Sequence, residues 1–515
     1  MNEHDIDEAL NGIREEHILD SRPKAKKSRG ALKWVGTFAA AAAAVLGAIV
    51  LISSLKDGKT PAVDAAAPTD AVQTEEARPE FTQPSAIVFP TEGPIAARLA
   101  DKQLSDTGKR LAASALKMAR TPLLPSEGSS EYAEYLAELR LTKYGRGAHL
   151  GGFYQKTLNE FLSGSQENGA FSPFCAYTAL AMLAEVTGGE TRAQILDLLG
   201  APDIGTLRQM TAGLTDSNYR DGERETILSA ASFWMNDLLP AESFKSEALD
   251  ALAEYHRASS FTGTMGSPEY DALMRDWINE NTNGLLSEQV KEIESDPSVM
   301  MRLMTTLYFK AGWTGGRQDA AKLLFHSVNG DRETDFIVGS GADYFDGDGF
   351  TMASKNLYGG NKMWFILPDE DVTIDSLLEN GAALDAILTS NGGKGFEGHY
   401  RVSVRVPMFD SESKINLING LKHLGVTDCF DADAADFSPL SDKEGICVSE
   451  ADHDVRVIMD RDGVEAAAFT NIGINYGGAL DPVKLYTFTA DRPFIYLIMS
   501  DDGAPLFAGT MYTAE

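Results

Sequence analysis

The sequence is short of cysteine and of positive charge. Its 515 residues hold three cysteines, Cys175, Cys429 and Cys447. That is too few to build a disulfide framework, so each reads as a small buried hydrophobe. Lysine plus arginine number 45 against 76 acidic residues, a formal net charge of −31, which argues against a surface made for a nucleic-acid backbone. The eight histidines (His4, His17, His149, His256, His326, His399, His423 and His453) form no H-E-x-x-H pattern. The patterns C-x-x-C, G-x-x-x-x-G-K-[ST] and G-x-S-x-G are missing as well, so zinc-protease, dithiol, P-loop and α/β-hydrolase chemistry have no carrier. Asp346-Gly347-Asp348-Gly349 and Asp431-Ala432-Asp433 have a calcium-loop composition without the EF-hand spacing, and read as solvated acidic turns. No metal, no cofactor and no enzymatic activity are expected.

Charge is also missing from Trp34 to Leu55. As a helix this run would be roughly 33 Å long, enough to cross a bilayer core. Arg22, Lys24, Lys26, Lys27, Arg29 and Lys33 precede it. The positive-inside rule then places residues 1–33 in the cytoplasm as a basic tail and the rest of the chain outside, a single-pass cell-membrane protein. A cleaved signal peptide is the competing reading, but Ser53-Ser54-Leu55-Lys56 is a poor cleavage site. Residues 56–94 are rich in Ala, Pro, Thr, Asp and Glu, a composition too poor in large apolar side chains to fold, and read as a disordered linker. Residues 95–143 carry helical patches broken by Pro122, Pro125 and Gly128. They form either a partly helical stalk or a segment packed on the domain that follows.

From 144 to 515 helix and strand signals alternate, giving an α+β domain. FYQKTLNEFL (153–162) has the spacing of an amphipathic helix and TILSAASFWMN (226–236) that of a sheet strand. The stretch Arg461–Leu480 has a different character. After the turn Asp462-Gly463, Val464, Ala466, Ala468, Thr470, Ile472 and Ile474 fall on one side of an extended chain. Glu465, Ala467, Phe469, Asn471, Gly473 and Asn475 fall on the other. No proline interrupts it before Pro482, yet its glycines and alanines pack too little for a permanent strand. It reads as a segment able to be loop or strand, the alternative being an ordinary Ala/Gly-rich surface loop.

This stretch resembles the reactive-centre hinge of the serpins, protease inhibitors whose hinge runs roughly E-E/K-G-T-E-A-A-A-A-T. Here it is Gly463-Val464-Glu465-Ala466-Ala467-Ala468-Phe469-Thr470, departing from the pattern at Val464 and Phe469. Further motifs follow in the family's order. Asn168 to Ala184 is similar to its N-v-x-x-S-P helix start, with Ser172 as cap, Pro173 in the first turn and Cys175 where a second serine is usual. Leu303–Trp313 resembles a strand ending in Y-F-K-G-x-W, with Thr305 at the usual asparagine position. Asp491-Arg492-Pro493-Phe494 and Pro505–Gly509 resemble the family's C-terminal signatures.

The resemblance implies a membrane-anchored, prokaryotic-looking serpin with a large mixed sheet, smaller sheets, about eight or nine helices and an exposed reactive loop. It implies that Ser172, Cys175, Thr305, Trp313 and His453 have structural shutter and breach roles, and that the protein is a suicide substrate of serine or cysteine endopeptidases. The family's spacing points to a scissile bond at Gly477-Gly478, within a window of Tyr476, Gly477, Gly478, Ala479 and Leu480. The window has no Arg or Lys, favouring chymotrypsin-, elastase- or subtilisin-like targets over trypsin-like ones. The alternative is a non-inhibitory carrier, adhesion or scaffolding module.

Overall fold

The computed structural model describes residues 105–119, 147–389, 400–464 and 484–514, with three isolated positions at 129, 130 and 133. The expected basic tail 1–33, span 34–55 and linker 56–94 lie outside the described residues, as does most of 120–146. Among the described residues no helix is long and apolar enough to cross a membrane.

Three sheets organise the domain. The eight-stranded sheet runs β1 (Ala115–Lys117), β5 (Ala258–Gly263), β4 (Glu225–Asn236), β6 (Met301–Gly312), β15 (Gly463–Val464), β14 (Asp452–Met459) and β13 (Phe409–Asn416), with β3 (Arg220–Asp221) beside β4. The six-stranded sheet runs β2 (Gly169–Phe171), β18 (Pro505–Met511), β17 (Phe494–Met499), β11 (Lys362–Pro368), β10 (Phe350–Asn356) and β9 (Tyr344–Asp346). The four-stranded sheet runs β16 (Lys484–Thr489), β12 (Tyr400–Pro407), β8 (Gly330–Ser340) and β7 (Asp319–Ser327). In the large sheet β4 is parallel to β5 and antiparallel to β6, the mixed pairing that the resemblance implied.

Both faces of the large sheet are covered, which explains the run Phe233-Trp234-Met235. Phe233 and Met235 point into the main core, and Trp234 into a second cluster with Phe261, Met274 and Trp277. A strand covered on both sides reads as continuous apolar sequence rather than alternation.

Ten α-helices are present among the described residues: α1 (Asp106–Ser114), α2 (Gly151–Leu162), α3 (Pro173–Val186), α4 (Gly189–Leu199), α5 (Ile204–Asn218), α6 (Ser246–Tyr255), α7 (Pro268–Asn281), α8 (Ile374–Asn380), α9 (Ala382–Thr389) and α10 (Ile418–His423). The excess over eight or nine has local causes. Helix α1 precedes the domain proper, and α8 and α9 are separated by Gly381, held at φ +64, a left-handed conformation that ends a helix and suits glycine.

Candidate functional site

The centre of the large sheet contains an open lane. Strand β6 is paired with β4 along nearly its whole length, from Met301↔Met235 to Ala311↔Glu225. Strand β14 is paired with β13 from Asp452 to Met459. Between β6 and β14 lies β15, two residues long: Gly463 opposite Gly312, and Val464 between Ala311 and Met459. Below that point, neither β6 nor β14 has a strand partner on its facing side among the described residues. A cleft of about 190 Å³ occupies the gap. Helix α3 lines one side of it through Ala176, Leu180 and Leu183, and α7 with the segment after it lines the other through Ile278, Leu286 and Val290.

The hairpin at the head of the lane is tightly held. Asp462 N–H and Gly463 N–H donate to Asp460 Oδ1 at 2.8 and 3.2 Å. Trp313 is almost fully buried. Its backbone N–H donates to Asp462 O at 3.1 Å and its indole Nε1–H to Asp460 O at 3.0 Å. Gln318 exchanges two bonds with Arg461: its N–H donates to Arg461 O at 2.7 Å, and Arg461 Nε donates to Gln318 O at 2.9 Å. Arg317 forms an ion pair with Asp462. Beneath the hairpin, Lys355 Nζ donates to Gln318 Oε1 at 2.9 Å and lies 5.3 Å from the Trp313 ring centre. Burial without a carboxylate pulls the Lys355 ammonium down to about 8. Gly463 is required by closeness, since a Cβ there would stand 2.2 Å from Ala311 O.

Midway along the lane the structure brings Ser172, Cys175, Thr305 and His453 together. Ser172 caps α3 by accepting from Cys175 N–H at 3.2 Å, with Pro173 in the first turn. Its hydroxyl donates to Leu506 O at 2.7 Å, and its N–H donates to His453 Nε2 at 3.0 Å. The imidazole therefore accepts at Nε2 and is neutral, and burial holds it down at about 4. Phe171 packs on it with ring centres 4.9 Å apart. Thr305 Oγ1 donates to Cys175 O at 3.3 Å, so the threonine binds the helix start rather than the histidine. Burial pushes the Cys175 and Cys429 thiols up to about 11 and about 12, which makes both poor nucleophiles.

At the far end of the lane Arg302 of β6 and Glu450, just before β14, form an ion pair across the gap. Composition and motif reading missed this pair, and missed Gln318 and Lys355 too. Of the expected hinge residues, Gly463 and Val464 form β15. Glu465, Ala466, Ala467, Ala468, Phe469 and Thr470 lie outside the described residues, as does the whole window Tyr476 to Leu480.

A mixed sheet with a lane between two central strands, headed by the first two residues of an alternating segment, defines a class of architecture. Residues 150–514 match the model of the family described as "Serpin (serine protease inhibitor)", and the chain belongs to that family. As a family these are protease inhibitors rather than enzymes. Among its relatives, Serpin-Z2A of Oryza sativa subsp. japonica is 27% identical over 401 residues, covering 67% of this chain and 91% of the relative. Plasminogen activator inhibitor 1 of Neovison vison is 27% identical over 410 residues, covering 73% and 94%. The fold is similar to that of the thermophilic serpin tengpin in its native state, with a TM-score of 0.63 at 24% identity, covering 76% of this chain and 96% of that one. A plant, a mammal and the archaeon Thermococcus kodakarensis all stand among the relatives, so the likeness assigns no kind of source to this chain.

Proposed function

We propose that this protein is a suicide-substrate inhibitor of serine endopeptidases, with cysteine endopeptidases as a further class, and that it traps them by inserting its cleaved loop into the lane between β6 and β14. The observation that carries the reading is the lane itself, with Val464 already seated between Ala311 and Met459 at its head. A protease attacks the loop as substrate and forms an acyl-enzyme. Cutting frees the segment after Val464 to add ladder bonds to both neighbouring strands, a β-augmentation within one chain. The family match and a relative named for inhibiting a plasminogen activator support the same reading. For the target, the window Tyr476–Leu480 favours chymotrypsin-, elastase- or subtilisin-like enzymes through Tyr476, Leu480 or Ala479, because a trypsin-like pocket needs a cation that the window lacks.

The test is incubation of residues 84–515 with chymotrypsin, elastase and subtilisin. An SDS-stable complex and a raised melting temperature after loop cleavage are expected. The second reading, a non-inhibitory carrier, adhesion or scaffolding module, draws on Val464 and Phe469, where the hinge departs from the family's pattern. Cleavage with neither complex nor stabilisation would favour it. The uncharged run 34–55 behind a basic tail further supports a membrane anchor with the domain outside the cell. Alkaline carbonate extraction should leave the full chain with membranes; release would point to the cleaved signal peptide.

A further inference from the structure

The outer face of the four-stranded sheet runs against the charge of the rest of the chain. Along β12, Val402, Val404 and Val406 are buried while Arg401 and Arg405 are exposed, so the odd-numbered positions look outward. The register carries that face onto both neighbouring strands. Leu485, Thr487 and Thr489 of β16 stand opposite Arg401, Ser403 and Arg405, and Ser340 and Val338 of β8 stand opposite Ser403 and Arg405. These eight positions hold two arginines and no carboxylate, in a chain whose formal net charge is −31. The first acid on the face is Asp319 of β7, opposite Val338 and one strand further on. Among the described residues neither Arg401 nor Arg405 is held by an ion pair or a side-chain hydrogen bond. Leu485, beside Arg401, is 66% exposed, the highest value among the large apolar side chains described.

Two guanidinium forks rooted on a paired strand suit carboxylates, which they can bind bidentately. An anionic polymer is the poorer fit, because binding a sulfate or phosphate chain draws on many cations at once. Arginine beside an exposed leucine and hydroxyls is instead the composition of a protein interface. Position then selects the protein. Leu480, the last residue of the expected cleavage window, is five residues before Leu485, so the chain keeps the two within about 17 Å of each other. A protease domain is roughly 40 Å across. One engaged at that window therefore overhangs the face that Leu485 shares with the arginines.

We propose that Arg401 and Arg405, with Leu485 beside them, form a docking surface for an acidic, partly apolar patch on the body of the target protease. This rests on the inhibitory reading above and adds to it a determinant of specificity that lies on the sheet. The arginines act on the encounter: they offset the repulsion that an acidic inhibitor exerts on an acidic enzyme and raise the rate at which the two meet. Trapping after the loop is cut takes place in the large sheet and does not depend on them. A protease with a basic patch at the same place gains nothing from this surface and is repelled by it.

The experiment measures the second-order rate of complex formation by the intact 84–515 chain, wild type against the double variant Arg401→Glu, Arg405→Glu. Two subtilisin-like proteases are used, one with an acidic surface and one with a basic surface. With the acidic enzyme in dilute buffer the variant is expected to be about tenfold slower. That gap should close near about 1 M salt, where the screening length is about 3 Å. With the basic enzyme the variant should be as fast as wild type or faster. Inhibitor molecules consumed per protease inactivated, and the melting temperature of the uncut chain, should not change. Equal rates with the acidic enzyme, a gap that salt leaves in place, or the same loss with the basic enzyme overturns the docking surface while the inhibitory reading stands. Dextran sulfate that binds wild type but not the variant, with protease rates equal, assigns the face to a polyanion and also overturns it. A wild type that traps neither enzyme and gains no stability on cleavage overturns both readings.

Discussion

At position 453 a neutral imidazole is built into the core, with the Ser172 N–H donating to its Nε2 and Phe171 against its face. An unfolded histidine titrates near 6.5, whereas this one is held at about 4. Between those values the unfolded chain takes up a proton that the folded chain refuses, so stability falls as pH drops from 6.5 toward 4, by on the order of 3 kcal/mol in all. Urea unfolding across this window should show a steeper pH slope for wild type than for His453→Gln; equal slopes would refute it. Gly463 makes a second prediction at this scale. An alanine Cβ would meet Ala311 O at 2.2 Å, so Gly463→Ala should cost about 1–3 kcal/mol and speed amide exchange at Val464 and Trp313. Sequence pattern made some of these residues legible. Ser172 before Pro173 announces a helix cap, and Asp462-Gly463 announces the turn that heads the lane. Arg302 and Glu450 gave no such signal, because a contact spanning 148 residues leaves no local trace.

Among the elements, the predicted helix 153–162 is found as Gly151–Leu162 and the predicted strand 226–236 as Glu225–Asn236. One of the helical patches expected within 95–143, RLAASALKMA at 110–119, divides instead. Helix α1 stops at Ser114, and Ala115–Lys117 becomes β1 because the open edge of β5 offers ladder partners: Ala115 opposite Phe261 and Lys117 opposite Ser260. That edge is a tertiary fact, invisible in the patch itself. Leu111 of α1 is buried beside Trp234, Phe261 and Trp277, so Leu111→Ala should lower the unfolding free energy by about 2–5 kcal/mol, read by urea titration. Glu185 joins three helical regions. Arg208 Nε donates to it and His256 Nε2 bonds to it, each at 3.0 Å. Burial alone would raise its carboxyl, but His256 and Arg208 outweigh burial and hold it at about 2. Glu185→Gln should therefore destabilise by about 3 kcal/mol at neutral pH, an effect that shrinks as wild-type Glu185 is itself protonated in strong acid.

For the whole molecule, Pro84–Glu515 forms one compact unit. A chain starting at Pro84 should keep the full unit's melting temperature. One starting at Gly147 should melt lower, having lost Leu111 from its cluster and β1 from the edge of β5. Calorimetry of both decides this.

The place where the leading segment is fastened has a mechanical consequence. Ser105 and Arg110 hold α7 through Glu280 and Asp276, and β1 lies on the outer margin of β5, with β5 and β4 between it and β6. Tension applied to the chain ahead of Ser105 would be taken up along that margin as shear between β1 and β5. The load enters on the side of the sheet away from the hairpin at 460–463, so a pull on the leading segment would peel the outer border before any strain reached the lane.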